Sequence, residues 1–219
     1  MKRVTRQEIL DYVTYEERRK QIREKIMKIK ELRRINLAGV LSFLFENTDT
    51  VRYQIQEMIR VERIVKETDI LHEINTYNEL LGDSGELGCT LLIEIDDPDE
   101  RDEKLTQWLD LTKHLYLSLE NKSRIRASFD ERQIGDSRLS SVQYIKFNTG
   151  GKTPVAIGSD LPLLKAETTL TVDQKSFDGM KSEKSEIWAT DCPLAALQFK
   201  QHAGVKPKHP MTILAEAYR

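Results

Sequence analysis

Residues 89–100 read CTLLIEIDDPDE, and the pattern on which the fold turns changes inside this run. CTLLIEI alternates enough to be a strand. Directly after it Asp97 stands as a helix N-cap, Pro98 at the first helical position and Glu100 at the third, the strongest helix start in the chain. The helix it opens carries Leu105, Trp108 and Leu109 toward the core.

Upstream of this run the periodicity is helical. Thr5 with Glu8, and Thr14 with Glu17, read as capping boxes that open two helices, because a hydroxyl and a carboxylate three residues apart satisfy each other's free amides. In the second helix Ile22, Ile26, Ile29 and Leu32 keep helical spacing, and its end is expected at Arg33–Arg34. Residues 36–46 read as one buried strand, although periodicity alone does not exclude a helix. Another helix is expected from Thr50, with Val51, Ile55, Met58, Ile59 and Val65 as its seam. A shorter one from Asp69 to Leu81 is closed by Gly82.

Downstream the chain reads as strands at 114–119, 124–129 and 142–147. Gly150-Gly151 is expected to be a plain hairpin turn into the extended stretch 154–157, and residues 158–185 carry no decisive pattern. Helices followed by a run of strands imply an α+β domain over residues 1–185, with N-terminal helices packed on a mostly antiparallel sheet. Residues 186–219 have their own punctuation and read as a short helical tail. Asp191-Cys192-Pro193 starts a helix, Gly204 stops it, and His209-Pro210 starts the last.

The chain has 219 residues, 39% of them hydrophobic and 32% charged, enough for one core and too few for two full-sized enzyme domains. No apolar run approaches the roughly 20 residues of a membrane span, so no membrane insertion is expected. The basic but polar start lacks a secretory apolar segment, and a cytoplasmic location follows as the expectation. Net charge is -2, yet residues 1–35 hold 12 basic and 6 acidic side chains while residues 46–110 hold 6 basic and 18 acidic. The acidic middle and a pI near 6.2 argue against a nucleic-acid partner for the basic helix at 18–34.

Catalytic signatures are absent from the sequence: it has no phosphate-binding glycine loop, no HExxH, no GxSxG and no ExxH pair. Cys89 and Cys192 lie far apart without CxxC partners, so cysteine alone assembles no zinc site or iron–sulfur cluster. Two candidate sites remain. Glu46, Asn47, Arg52, Gln54, Glu57, Arg60, Glu62 and Glu73 are dense for a core-facing helix, and Glu46, Arg52, Gln54, Glu57 and Arg60 are the ligand-pocket candidates if they point inward as a paired network. The bland alternative is a solvated face laced with ion pairs. Cys192 at a helix N-terminus is the reactive-thiol candidate, and with His202 and His209 it forms an under-liganded metal candidate.

The run RRINLAGVLSFLFENTDTVRYQIQEMIRVERI, then EINTYNELL and ELGCTLLIEI, resembles the bacterial domain-of-unknown-function family 3501, most specifically in FENTDT and QIQEM. The resemblance implies a redox neighbourhood, since members tend to be encoded beside rubrerythrin-like di-iron proteins and cysteine-rich iron–sulfur oxidoreductases. It implies no reaction. The tail ATDCPLAALQFKQHAGVKPKHPMTILAEAYR is similar to the end of those same oxidoreductases, with Cys192 at the position of a cluster-ligand or redox cysteine. The paired cysteines and CxxCxxC runs that precede that tail in the oxidoreductases are absent. The expectation is therefore an accessory protein with an iron–sulfur oxidoreductase or rubrerythrin-like partner, compatible with a homo-oligomer and binding no cofactor as an isolated chain. The alternative is a small-molecule or metal-binding redox enzyme using Cys192.

Overall fold

Leu41, Phe43 and Phe45 stand opposite Ile93, Leu91 and Cys89 in an antiparallel ladder, and Leu87 and Cys89 stand opposite Phe147 and Ile145 on the next. Side chains alternate across a strand, so these residues share one face and bury it together. The computed structural model describes residues 1–135 and 137–170, and its fold is α+β.

The helices come first: α1 (Tyr12–Glu31), then α2 (Thr48–Val61) and α3 (Glu67–Asn78) after the strand pair β1 (Arg34–Leu37) and β2 (Leu41–Phe45). Next follow β3 (Glu86–Ile93), α4 (Pro98–Gln107), the single turn α5 (Leu111–His114), β4 (Leu115–Leu119), β5 (Arg124–Arg126) and β6 (Ser128–Phe129). The described elements end with β7 (Val142–Asn148), β8 (Pro154–Leu161) and β9 (Leu164–Thr169). Two antiparallel sheets result, in the orders β1-β2-β3-β7-β6 and β5-β4-β8-β9.

The sheets share one core. Phe43, Leu91 and Phe147 from the first pack with Leu115, Leu117 and Ile157 from the second, all essentially buried, and Leu105, Trp108 and Leu111 join them. Burying each such side chain contributes about 2 kcal/mol. A separate apolar cluster holds the helices: Val51, Ile55 and Ile59 of α2 meet Ile70 and Ile74 of α3, together with Val4 and Ile9 of the N-terminal segment.

Several expectations change against this frame. The first capping box is present, with Glu8 accepting from the Thr5 amide and hydroxyl, but it opens only a 3-10 turn. Helix α1 begins before Thr14, because Asp11 is its N-cap and accepts from the Thr14 amide at 3.0 Å. Residues 36–46 are not one strand: Ala38 and Gly39 take positive φ and fold the run into the β1–β2 hairpin. Val65 leaves the expected seam and is 79% exposed. Strand 124–129 breaks at Ala127, giving β5 to one sheet and β6 to the other. Gly150-Gly151 does not make a plain hairpin either, since β7 and β8 lie in different sheets. The Asp97 cap is as expected, accepting from the Glu100 amide at 2.8 Å. The tail 186–219 lies outside the described residues.

Candidate functional site

Alternation carries past the end of β2, so Glu46 faces away from Phe45 and toward α2. Its carboxylate is 6% exposed and accepts from the Thr50 hydroxyl at 2.5 Å and the Thr90 hydroxyl at 2.6 Å, which compensates its desolvation. Asn47 caps α2: its side chain accepts from the Thr50 amide, and the Thr50 hydroxyl accepts from the Asn47 amide. Arg33 closes the corner from beneath, donating to the Phe45 and Glu46 carbonyls at 2.7 and 3.1 Å. The run FENTDT is thus a strand end, a buried anchor and a helix cap in succession.

The rest of the polar set disperses. Glu57 faces α1, where it accepts from Arg19 Nε and Nη2 at 2.8 Å each and from the Tyr15 hydroxyl at 2.6 Å. Burial pushes its carboxyl up, but the Arg19 and Tyr15 hydrogen bonds and the charges of Arg19 and Arg60 together hold it below its ordinary value. Arg60 lies 3.8 Å from both Glu57 and Glu16. Arg52 turns to Asp49 and to Glu8 of the N-terminal segment. Gln54 faces Tyr77 of α3 and acts to lower its hydroxyl. These residues stitch α2 to its neighbours on three sides and do not converge on one pocket. Cys192, His202 and His209 lie outside the described residues. Among the described residues no group of three or more His, Cys, Asp or Glu is arranged to hold a metal.

What the structure does assemble is a cavity of about 530 Å³ between α3, β6 and β7. Leu80 lines it beside the backbone of β3, β6 and β7; Tyr77 and Tyr144 add two phenol rings; Glu79, Asp130 and Lys146 supply charge. Volume and lining are those of a small-molecule site. The alternation of SVQYIKF puts Tyr144 and Lys146 on the face opposite Ile145 and Phe147, but nothing local in the sequence pairs Tyr144 with Tyr77. Burial raises the Tyr144 hydroxyl above its ordinary value, and the nearby Glu46 charge adds to the rise. Tyr77 is raised by burial against the lowering Gln54 hydrogen bond, with Tyr144, Glu73 and Glu62 contributing. Both rings are therefore neutral phenols at pH 7. The Cys89 thiol is raised by burial and by Glu46, which keeps it protonated and inert.

A second polar cluster lies on the other sheet. Asp160 accepts from Arg126 at 2.9 and 2.5 Å and lies 2.9 Å from the His114 Nδ1. The Arg126 hydrogen bonds hold its carboxyl well below the ordinary range, with His114 assisting. Arg124 stacks over the Tyr116 ring at 4.0 Å. Each group here already has a partner within the cluster.

Fold and site together define an α+β protein with a two-sheet core, a helical layer on one side and a preformed cavity under α3. The chain belongs to the family described as protein of unknown function, DUF3501, whose model matches residues 3–178. The match stops short of the tail 186–219. A similar solved structure is the 1.90 Å crystal structure of a novel protein of unknown function from Burkholderia pseudomallei K96243. It is 27% identical, with a TM-score of 0.71 over 77% of this chain and 93% of that one. No curated protein matches the chain. Among the described residues no helix is long and apolar enough to cross a membrane.

Proposed function

We propose that this chain is an accessory protein of an iron–sulfur or rubrerythrin-type redox system and acts by protein–protein contact. One observation carries the contact part: seven of the ten exposed large apolar side chains among the described residues lie on or beside the helices. Tyr12, Val13, Met27 and Leu32 lie on or just beyond α1, and Val61, Val65 and Leu71 lie around the α2–α3 corner. Helix α1 runs for 20 residues with only Tyr15 and Ile26 buried, so most of its length is free to meet another protein. The redox part rests on the family resemblance and on the likeness of the tail around Cys192 to the end of iron–sulfur oxidoreductases. An affinity-tagged chain purified anaerobically from its native cell is expected to recover an iron–sulfur or rubrerythrin-like protein. Val65→Asp should weaken that recovery without lowering the thermal midpoint. Recovery of neither class of partner overturns the proposal.

The cavity under α3 favours a second reading, a small-molecule-binding redox enzyme with Cys192 as its reactive thiol. Faster alkylation of Cys192 than of buried Cys89 in the native protein supports it. Equal rates remove its nucleophile.

A further inference from the structure

The cavity between α3 and β7 presents two aromatic rings that carry no cation of their own. Two other tyrosines do have such a cation: Lys30 sits 5.2 Å from the Tyr53 ring centre, and Arg124 and Arg126 lie over Tyr116. Among the described residues no side-chain cation covers Tyr77 or Tyr144, although both line the cavity and lie close enough to influence each other electrostatically.

The field around those rings is negative. Glu79 and Asp130 stand on the cavity wall, Glu73 and Glu62 act on Tyr77 from α3 and the end of α2, and buried Glu46 acts on Tyr144. Lys146 is the one cation among the lining residues, and Arg132, next in sequence to the lining residue Gln133, pairs with Asp130 and offsets its charge, so the negative field at the rings comes from Glu79, Glu73, Glu62 and Glu46. Neutral phenol rings offer the negative face of their quadrupole. A cation held between them gains from the rings and from the surrounding carboxylates at once. An anion would find Lys146 but would face Glu79, Glu73, Glu62 and Glu46.

We propose that this cavity binds a small organic cation, an alkylated ammonium group on a compact apolar body, held between Tyr77 and Tyr144. The apolar body rests against Leu80, and the carboxylates set the sign of the charge admitted. The site is independent of the accessory role proposed above, since it requires no protein partner.

Calorimetric titration of the full chain tests it with choline, its neutral isostere 3,3-dimethylbutan-1-ol, benzyltrimethylammonium and benzoate. The expected result is that the two ammonium probes bind and that choline binds about tenfold tighter than the isostere. Tyr77→Ala and Tyr144→Ala should each weaken ammonium binding about tenfold, whereas Tyr77→Phe and Tyr144→Phe keep it, because phenylalanine preserves the ring face. Tyr144 is 39% exposed, so its variants are expected to fold, and a thermal midpoint recorded for each variant checks this. Equal affinity for choline and the isostere, tighter binding of benzoate, or no binding of either ammonium probe overturns the proposal.

Discussion

The Tyr15 hydroxyl donates to Glu57 Oε1 at 2.6 Å, and the same oxygen accepts from Arg19 Nε at 2.8 Å, so one carboxylate on α2 anchors two residues one turn apart on α1. Tyr15 is fully buried and α1 has little other burial, which makes this the main polar attachment of a long helix. Tyr15→Phe keeps the ring and the Arg19–Glu57 pair and should destabilise the protein by about 1 kcal/mol. Glu57→Ala leaves a phenol and a guanidinium without their acceptor and should lose about 2 kcal/mol, read by urea unfolding.

The same carboxylate gives a pH dependence of definite sign. The folded protein holds Glu57 below its unfolded value, so its contribution is complete above about pH 4.5 and declines as pH falls toward the folded value. Thermal midpoints measured from pH 7 to pH 3 should fall less steeply for Glu57→Gln than for the parent. An identical acid slope for the two proteins would mean that Glu57 is not linked to folding.

Helix α2 ends without the residue that usually ends helices. The Arg63 amide donates to the Arg60 carbonyl and the Ile64 amide to the Ile59 carbonyl, the paired bonds of a Schellman motif, while Arg63 takes φ 53°. Left-handed backbone at a non-glycine residue costs about 1 kcal/mol, partly offset by the greater freedom glycine has when unfolded. Arg63→Gly should therefore stabilise the protein by about 0.5 kcal/mol, measured as a rise in the urea midpoint at unchanged slope.

That position also explains what the sequence conceals. Strong local patterns are legible: the alternation of CTLLIEI, residues 89–95, falls on β3 as far as Ile93, and the Asp97-Pro98 start opens α4. The end of α2 is not, because Arg63 occupies a place where glycine would announce a stop, and the apolar pattern runs on to Val65. The β1–β2 hairpin hides in a continuous apolar run because its turn contains only one glycine, with Ala38 taking the other left-handed position. Glu46 was legible as a polar residue closing that run, but its partner Thr90 lies across a sheet. The cavity was least visible of all, since it depends on bringing Tyr77 of a helix to Tyr144 of a distant strand. Pairings of that kind leave no periodicity in either segment.

Burial gives Cys89 a clear chemical prediction. The residue is 3% exposed, and its thiol is held protonated by burial and by the Glu46 charge. Iodoacetamide should modify Cys89 in the native protein only as fast as the sheet opens, and at the rate of a free thiol in urea, followed residue by residue by mass spectrometry. Rapid native labelling would show that the cavity admits reagents to the β3 sulfur.

Gly88 joins the cavity to the core most tightly. A Cβ built there would lie 1.8 Å from the Leu80 carbonyl oxygen, so the loop after α3 rests directly on the β3 backbone with no room for a side chain. Leu80 lines the cavity, and β3 carries Cys89 and Leu91 into the two-sheet core, so a methyl group at residue 88 must displace one or the other. Both atoms in conflict belong to the backbone and neither can swing aside, unlike the end of a flexible side chain. Gly88→Ala should therefore destabilise the protein by about 3 kcal/mol in urea unfolding and shift the near-ultraviolet signal of the cavity tyrosines. Gly39→Ala is the control for loss of glycine itself: its Cβ meets nothing within 4 Å, and only its positive φ opposes the change, so it should lose about 1 kcal/mol. Equal losses at the two positions would mean that the Leu80–Gly88 contact relaxes without effect on the fold.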